Sequence, residues 1–266
     1  MTASPLATAP DPAGPARREH PSRLTAEQAR QFHEQGFLGP LTACSAEEMA
    51  AYRSHIEELI LEGGIGGGGS VHNRHLDDRL VYELSTRPEI VQPMTSILGD
   101  DLLLWRTNFF NKQPGGKEIP WHQDRNYWPI EPEVVISAWL AIDPSTIENS
   151  CVQVIPGTHR KLVPHAAIKA EERAIKQFAE EAVLDGIDTS GMINMELEAG
   201  QFMLFNERTL HHSEPNRSDK RRMGMAIRVI LPQVRVLSTD SPRHKMMVVA
   251  GQDRMGFNPR CDPPAG

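Results

Sequence analysis

The chain has 266 residues, 39% of them hydrophobic, which is enough to bury one substantial core. Its formal net charge of −7 argues against a surface for nucleic acid or an anionic membrane, because no basic excess exists to displace counterions from phosphates. Three scattered cysteines, Cys44, Cys151 and Cys261, have neither the paired spacing of a zinc site nor the density of a disulfide scaffold. No apolar run approaches the roughly 20 residues of a spanning helix, and no basic-then-apolar leader opens the chain. The expected setting is the cytoplasm, and the expected partner is a small molecule.

Residues 1–23, rich in Pro, Ala and Ser, bury too little to repay the entropy of ordering and are expected to be a disordered tail. The rest, 24–266, reads as a single domain: a helical part over 24–99, a β core over 100–232 and a C-terminal extension over 233–266. Thr25 caps a first helix that stops at Gly36, and Ser45 with Glu48 forms a capping box for a second. Gly63 to Ser70, glycine-rich but without a following Lys-Ser/Thr pair, is a flexible loop and not a phosphate cradle. A third helix is expected over Arg87 to Leu98.

After Gly99 the texture changes to "LLLWRTNFF", "VVISAWLAI", "CVQVIPG", "MINMELEAGQFMLFN" and "MGMAIRVILP", separated by turn signals such as "PGG", "EAGQ" and "PNRSD". Short strands without a βαβ repeat predict a barrel or sandwich. One interruption, "HAAIKAEERAIKQFAEEAVLDG", carries helical spacing and is expected to lie over a barrel mouth. The extension after Pro232 is compatible with an added edge strand or with packing beside the entrance.

The triplet His122-Gln123-Asp124 places an imidazole and a carboxylate on one face of a strand, with Gln123 on the other. Alone this is more often a surface hydrogen-bonded pair than a metal site. A second patch, "LHHSEPNRSDKRRMGMAIRVI", adds a further histidine and a cluster of arginines. Two imidazoles and one carboxylate on one face of an octahedron leave three positions open, the arrangement of non-haem Fe(II).

The segments "WRTNFFNKQPG", "WHQD", "ISAWLAIDPSTIENSCVQVIPGTHR", "EAGQFMLFNERTLHHSEPNRS" and "RRMGMAIRV" resemble, in order, the phytanoyl-CoA dioxygenase family of Fe(II)/2-oxoglutarate oxygenases, over most of residues 24–232. The resemblance implies a double-stranded β-helix, a jelly-roll of the cupin type, preceded by helices. It implies Fe(II), 2-oxoglutarate and O2 as cofactor and cosubstrates, with His122, Asp124 and His211 as iron ligands. Arg222, eleven residues after His211, would pair with the distal carboxylate of 2-oxoglutarate, assisted by the Ser213 hydroxyl. Strand period favours His211 over its rival His212, because His211 shares a face with Ser213. Trp139, Asn108 and Gln123 complete the expected cosubstrate set.

Gly224, Ala226 and Arg228 share the parity of Arg222, so two small residues leave space beside two long cations. Arg228 is then a second charge near the site or an ion-pair partner in the framework, and Arg221 faces away and is expected to be solvated. Arg106, Arg125, Asn126, Tyr127, Trp128 and Arg228 form the expected substrate-binding set, suited to a small polar, acidic or zwitterionic metabolite, amino-acid-derived or a natural-product intermediate of secondary metabolism.

A closer likeness joins the chain to the branch with chlorinating enzymes, in which Ala or Gly replaces the carboxylate ligand and halide fills the gap. Retention of Asp124 points to hydroxylation. The chain departs from the family at Ser150, where a glycine is usual, and at His212, also usually glycine. Three alternatives stay open: the same iron chemistry ending in desaturation, epimerisation or ring closure; a non-catalytic metal- or metabolite-binding jelly-roll; and, last, a zinc hydrolase, which leaves Arg222 and Ser213 without a task.

Overall fold

The computed structural model describes residues 20–62, 72–169, 178–238 and 244–265. Most of the expected tail and the whole Gly63 to Ser70 run lie outside them, while Arg23 is held by an ion pair to Asp100. Helix α1, Ala26–Gln35, opens with the Thr25 hydroxyl accepting from Gln28 N at 3.2 Å, and the Gln28 side chain accepts in return from Thr25 N at 2.9 Å. It closes on Gly36 in the left-handed region, at φ 80°.

Strand β1, Phe37–Thr42, then fills what sequence reads as a bare connection. Gly39 and Pro40 hide it, and a register irregularity between Leu38 and Leu41 takes Pro40 out of the ladder. Helix α2, Ala46–Glu62, starts at the expected Ser45/Glu48 box. Helix α3, Arg79–Ser85, capped by Asp78 accepting from Val81 N at 2.9 Å, is a helix of about two turns that sequence did not signal. Helix α4, Pro88–Leu98, matches the expected third helix.

Strands follow as β2 Leu102–Lys112, β3 Ile119–His122, β4 Ile130–Glu131, β5 Val135–Ala141 and β6 Val152–Val154. Then come β7 His165–Ala167, β8 Glu180–Ala182, β9 Ile193–Met195 and β10 Gln201–Asn206. The last are β11 His211–Ser213, β12 Arg222–Ile230, β13 Arg235–Val236 and β14 Met247–Ala250. One sheet runs β1-β10-β5-β12-β2-β14 and a second β3-β11-β6-β9, antiparallel throughout. This is the mostly-β, jelly-roll architecture that the resemblance implied.

One expectation changes, and one open alternative is decided. The stretch read as a helix over the barrel mouth has strands β7 and β8 at its two ends, paired antiparallel from His165↔Ala182 to Ala167↔Glu180, where ladder pairing overrides helical composition. Its middle, 170–177, lies outside the described residues. The C-terminal extension does supply an edge strand, since β14 adds to the large sheet beside β2, and β13 pairs with β4.

The large sheet is buried on both faces, and the alternation sorts them. Met223, Met225, Ile227 and Val229 of β12 pack with Phe202 and Leu204 of β10 and with Met49, Ile56, Ile90 and Met94 of the helices. The opposite parity, Ala226 with Trp139, Met203 and Phe205, packs on Val152, Val154 and Met195 of the small sheet. Buried apolar surface at about 25 cal/mol per Å² makes these two layers the main source of stability. A bulge on β2, where Arg228↔Arg106 is followed by Val229↔Leu104, resets its parity, so Arg106, Asn108, Phe110 and Lys112 face the inner layer.

Candidate active site

Strands β3 and β11 pair so that His211 stands directly across from His122. The ring centroids are 4.1 Å apart. Strand β3 ends at His122, and Asp124 starts a 3-10 turn, Asp124–Tyr127, so the strand spacing assumed for the triplet holds only through the extended backbone of Gln123 (φ −108°, ψ 125°). That one extended residue is enough to return Asp124 to the side of His122. Asp124 Oδ1 lies 3.6 Å from His122 Nε2 and 3.9 Å from His211 Nε2, with all three residues buried.

The donor set fits a metal ion. His122 Nδ1 donates to Pro120 O at 2.8 Å and His211 Nδ1 to Thr209 O at 2.9 Å, which leaves each Nε2 lone pair turned toward Asp124. Ligands about 2.1 Å from a six-coordinate ion and at right angles stand about 3 Å apart, a small closure from the distances here. Burial, and then the charge of His122, lower the His211 pKa to about 3, so the ring is neutral as a ligand must be. Burial pushes the Asp124 carboxyl up, but the Arg228 charge, with the adjacent His122 and His211, outweighs it and holds the group below the usual carboxylate range. Among the described residues this is the one cluster of three ligating side chains close enough to share an ion.

A cavity runs from these residues past Phe110, Ile119, Trp139, Met203 and Phe205 to Arg222. Arg222 is fully buried, and its one hydrogen bond here, to Ser150 O at 3.0 Å, leaves Nε without a partner. Its guanidinium lies 5.2 Å from the Trp139 ring, and Gly224 brings β12 against that ring, since a Cβ there would stand 2.3 Å from Trp139 Cζ2. Ser213 lines the same end, with its hydroxyl held at 2.7 Å by Lys112 Nζ.

Lys112 was not singled out in the sequence, although strand parity from Arg106 and Asn108 leads to it. It pairs across from Arg222 and also donates to Ser150 Oγ at 2.9 Å and Glu214 O at 2.7 Å. Burial and then the Arg222 charge lower its pKa to about 6. Ser150, the departure from glycine, keeps a left-handed φ of 77°. Its hydroxyl serves Lys112 at the site of that strain.

The other expected residues separate into those the cavity collects and those it does not. Trp139 and Arg228 line the cavity, Asn108 and Arg106 share their face of the sheet without lining it, and Arg228 meets Asp124, its Nη2 3.4 Å from Oδ2. Gln123 is turned away from the cavity, donating to Lys161 O and Arg208 O at 2.8 and 2.6 Å and accepting from Val163 N at 3.0 Å, so its side chain ties two loops together. Arg125 pairs with Glu133, the Tyr127 hydroxyl donates to Glu180 O at 2.7 Å, and Asn126 N closes the turn on Gln123 O at 3.2 Å.

Trp128 is mostly core, edge-on to Trp105 at 5.2 Å, with Arg228 over its ring at 5.0 Å. His212, the rival ligand, stacks on Trp121 at 3.9 Å and bonds the Gln153 side chain. Arg221 is not merely solvated: its parity turns it toward Asp143, at 2.8 Å, and Glu57 of α2. Phe178, which no spacing announced, sets its ring 4.7 Å from His122.

Comparison with known proteins places this geometry. Residues 32–224 match the model of the family described as Phytanoyl-CoA dioxygenase (PhyH). The dioxygenase lolE1 of Epichloe uncinata is 33% identical over 132 residues, covering 50% of this chain and 47% of that protein. The chain thus spans about half the length of that relative. A probable alpha-ketoglutarate-dependent hypophosphite dioxygenase of Stutzerimonas stutzeri is 26% identical over 226 residues, covering 77% of this chain and 78% of the relative. The solved structure of CytC3 with Fe(II) and alpha-ketoglutarate superposes with a TM-score of 0.71 at 25% identity, over 91% of this chain and 95% of that one.

Proposed function

Because this chain belongs to the phytanoyl-CoA dioxygenase family of Fe(II)/2-oxoglutarate-dependent oxygenases, we propose that it hydroxylates an unactivated C–H bond of a small polar metabolite. With Fe(II) bound, 2-oxoglutarate and O2 supply the oxidant, and succinate and CO2 leave with the hydroxylated product. One observation carries the reading: a buried His122-Asp124-His211 cluster, its imidazole lone pairs directed inward, opens onto a cavity that ends in the uncompensated guanidinium of Arg222.

The residues divide the work. His122, Asp124 and His211 hold the ion on one side and leave the other to the reactants. Arg222 receives the distal carboxylate of 2-oxoglutarate, with Ser213 beside it and Lys112 fixing the orientation of Ser213. Trp139 walls the cosubstrate end, and Phe178 with Tyr127 shields His122 from water. The neutral His211 ring, the low Asp124 pKa and the burial of the three ligands are all set by the chain before anything binds.

Anaerobic addition of Fe(II) and 2-oxoglutarate should give the weak visible charge-transfer band of the chelate, and substrate-dependent succinate release should follow on admitting O2. Asp124→Ala should abolish release, and Arg222→Leu should raise the 2-oxoglutarate requirement at least tenfold, since a buried charge-assisted pair is worth about 1.5–3 kcal/mol. A well-folded protein that forms no band refutes the assignment. Product mass distinguishes hydroxylation from desaturation, which loses two hydrogens, and from epimerisation, which changes nothing.

A further inference from the structure

Strands β2 and β12 set basic side chains opposite one another twice, Arg222 across from Lys112 and Arg228 across from Arg106, with Gly224↔Phe110 and Ala226↔Asn108 between. Like charges directly opposite on neighbouring strands repel, so each pair calls for an anion. In the reading above, the distal carboxylate of 2-oxoglutarate answers the first pair. Nothing in it answers the second.

Among the described residues the one carboxylate that pairs with Arg228 is Asp124, which the reading above commits to the metal, and no carboxylate pairs with Arg106. Arg228 keeps two buried nitrogens, Nε and Nη1, without a partner, and Arg106 keeps Nε. Arg106 otherwise donates only to His72 Nδ1, at 3.4 Å. Burial first, and the Arg228 charge second, lower the Arg106 pKa to about 10, which leaves the group a cation at neutral pH.

Beyond Asp124, no described acid pairs with either arginine. The Ser137 hydroxyl, on β5 directly across from Arg228, is buried without a partner, as is His244 Nδ1. The Trp128 ring covers one face of the Arg228 guanidinium, which directs its use to the N–H edge.

We infer that this end of the barrel recognises an anionic head group of the substrate: a small acid whose carboxylate or phosphorus oxyanion bridges Arg106 and Arg228. The oxygenase reading is needed for what happens to the acid, while the binding stands on the cation pair itself. An oxygen about 2.8 Å from the Arg228 guanidinium lies within about 8 Å of Asp124, so only a few bonds of about 1.5 Å separate the charge from the carbon attacked. The substrate is therefore a compact acid oxidised near its charged end.

The test uses the full chain with Fe(II) and saturating 2-oxoglutarate under anaerobic conditions, titrated calorimetrically at fixed ionic strength with propionate, methylphosphonate and propionamide. At least one anion should bind tenfold or more tightly than the amide, and the preferred anion tells a carboxylic acid from a phosphorus oxyanion. Arg106→Met should weaken that anion about tenfold or more, Arg106→Lys should recover part of the loss, and the 2-oxoglutarate half-saturation should stay within about twofold of the parent in both. Amide binding equal to the anions, or anion binding unchanged in Arg106→Met, overturns the inference. Failure of the chelate band in the parent would instead remove the oxygenase reading, and the same titration without iron would still judge the anion site. If Arg106→Met melts early, Arg106→Lys and the acid-to-amide ratio decide.

Discussion

Gly224 couples the packing of the barrel to the cosubstrate end. A methyl added there would stand 2.3, 2.6 and 2.8 Å from Cζ2, Cη2 and Cε2 of Trp139, against ordinary carbon contacts of about 3.5–4.0 Å. The indole is rigid and buried, with Val152, Met203 and Phe205 in the same cluster, so it can retreat by the required ångström only by displacing neighbours. Overpacking of this kind costs about 1–3 kcal/mol, and about 2 kcal/mol lowers Tm by roughly 4–8 °C in a chain of this size. The indole also carries the Arg222 guanidinium at 5.2 Å, so its shift should disturb the carboxylate clamp and raise the 2-oxoglutarate half-saturation severalfold, for a cation–π contact of about 1 kcal/mol. Gly191→Ala, where a Cβ meets nothing within 4 Å, is the control and should leave both quantities unchanged. Thermal melting and chelate-band titration read the two effects. A Gly224→Ala protein that melts with the parent and binds 2-oxoglutarate equally well refutes the coupling.

Glu207 is buried, and burial raises its pKa to about 7, so the fold favours its protonated form. The associated stability is complete below the ordinary carboxyl pKa and is lost as pH rises through 7. Glu207→Gln should therefore match the parent at pH 5 and exceed it by up to about 2–3 kcal/mol at pH 8 in urea unfolding; a constant difference across pH contradicts this. Lys112, lowered to about 6, is mostly neutral above pH 7 in the free protein. Binding of the 2-oxoglutarate dianion beside it should take up a proton, so affinity should rise from pH 8 to pH 6.5. Calorimetry in buffers of unequal ionisation heat should record that uptake, and Lys112→Met should erase it. Ser150 holds a left-handed backbone at a cost of about 1 kcal/mol while its hydroxyl serves Lys112. Ser150→Gly should stay within about 1 kcal/mol of the parent, whereas Ser150→Ala, which keeps the strain and drops the hydroxyl, should lose about 1–2 kcal/mol.

What the sequence declared, it declared through local chemistry. Thr25/Gln28 and Ser45/Glu48 are reciprocal caps whose partners lie three residues apart, and Gly36 is the left-handed stop the first helix needs, so both helices were readable. The inward parity of Arg222, Gly224, Ala226 and Arg228 was equally plain, because a strand repeats every two residues. Features that depend on distant partners were not. Strand β1 exists because Phe37 and Leu38 pair with Phe205 and Leu204, and nothing inside "FLGPLT" records that. Strands β7 and β8 require each other, and helical composition argued the opposite way. Gln123 shows the same limit at the site: its residue type suits a ligand contact, but three backbone groups in two loops far along the chain claim its side chain. Lys112 lay within the quoted family segment and on the parity of Arg106 and Asn108, and its pairing with Arg222 places a second buried basic side chain beside that arginine.

The spacing of the two cation pairs bears on substrate size. Both lie on one strand pair, six residues apart along β12, so their backbones are separated by about 20 Å through the strand rise, a distance no loop can adjust. Long side chains at both ends reach inward and shorten the gap between the charges. Between the two pairs the cavity is lined by Ala226 on one side and by His122 and His211 on the other. A larger residue at Ala226 would shorten this space directly. Ala226→Val should accordingly discriminate against longer acids before it affects 2-oxoglutarate, because Ala226 lies across from Asn108, midway between the pairs. A series of acids graded by chain length, compared by succinate release in the parent and Ala226→Val proteins, measures this. Uniform loss across the series would mean that the small residues serve packing and do not set the length of what is bound.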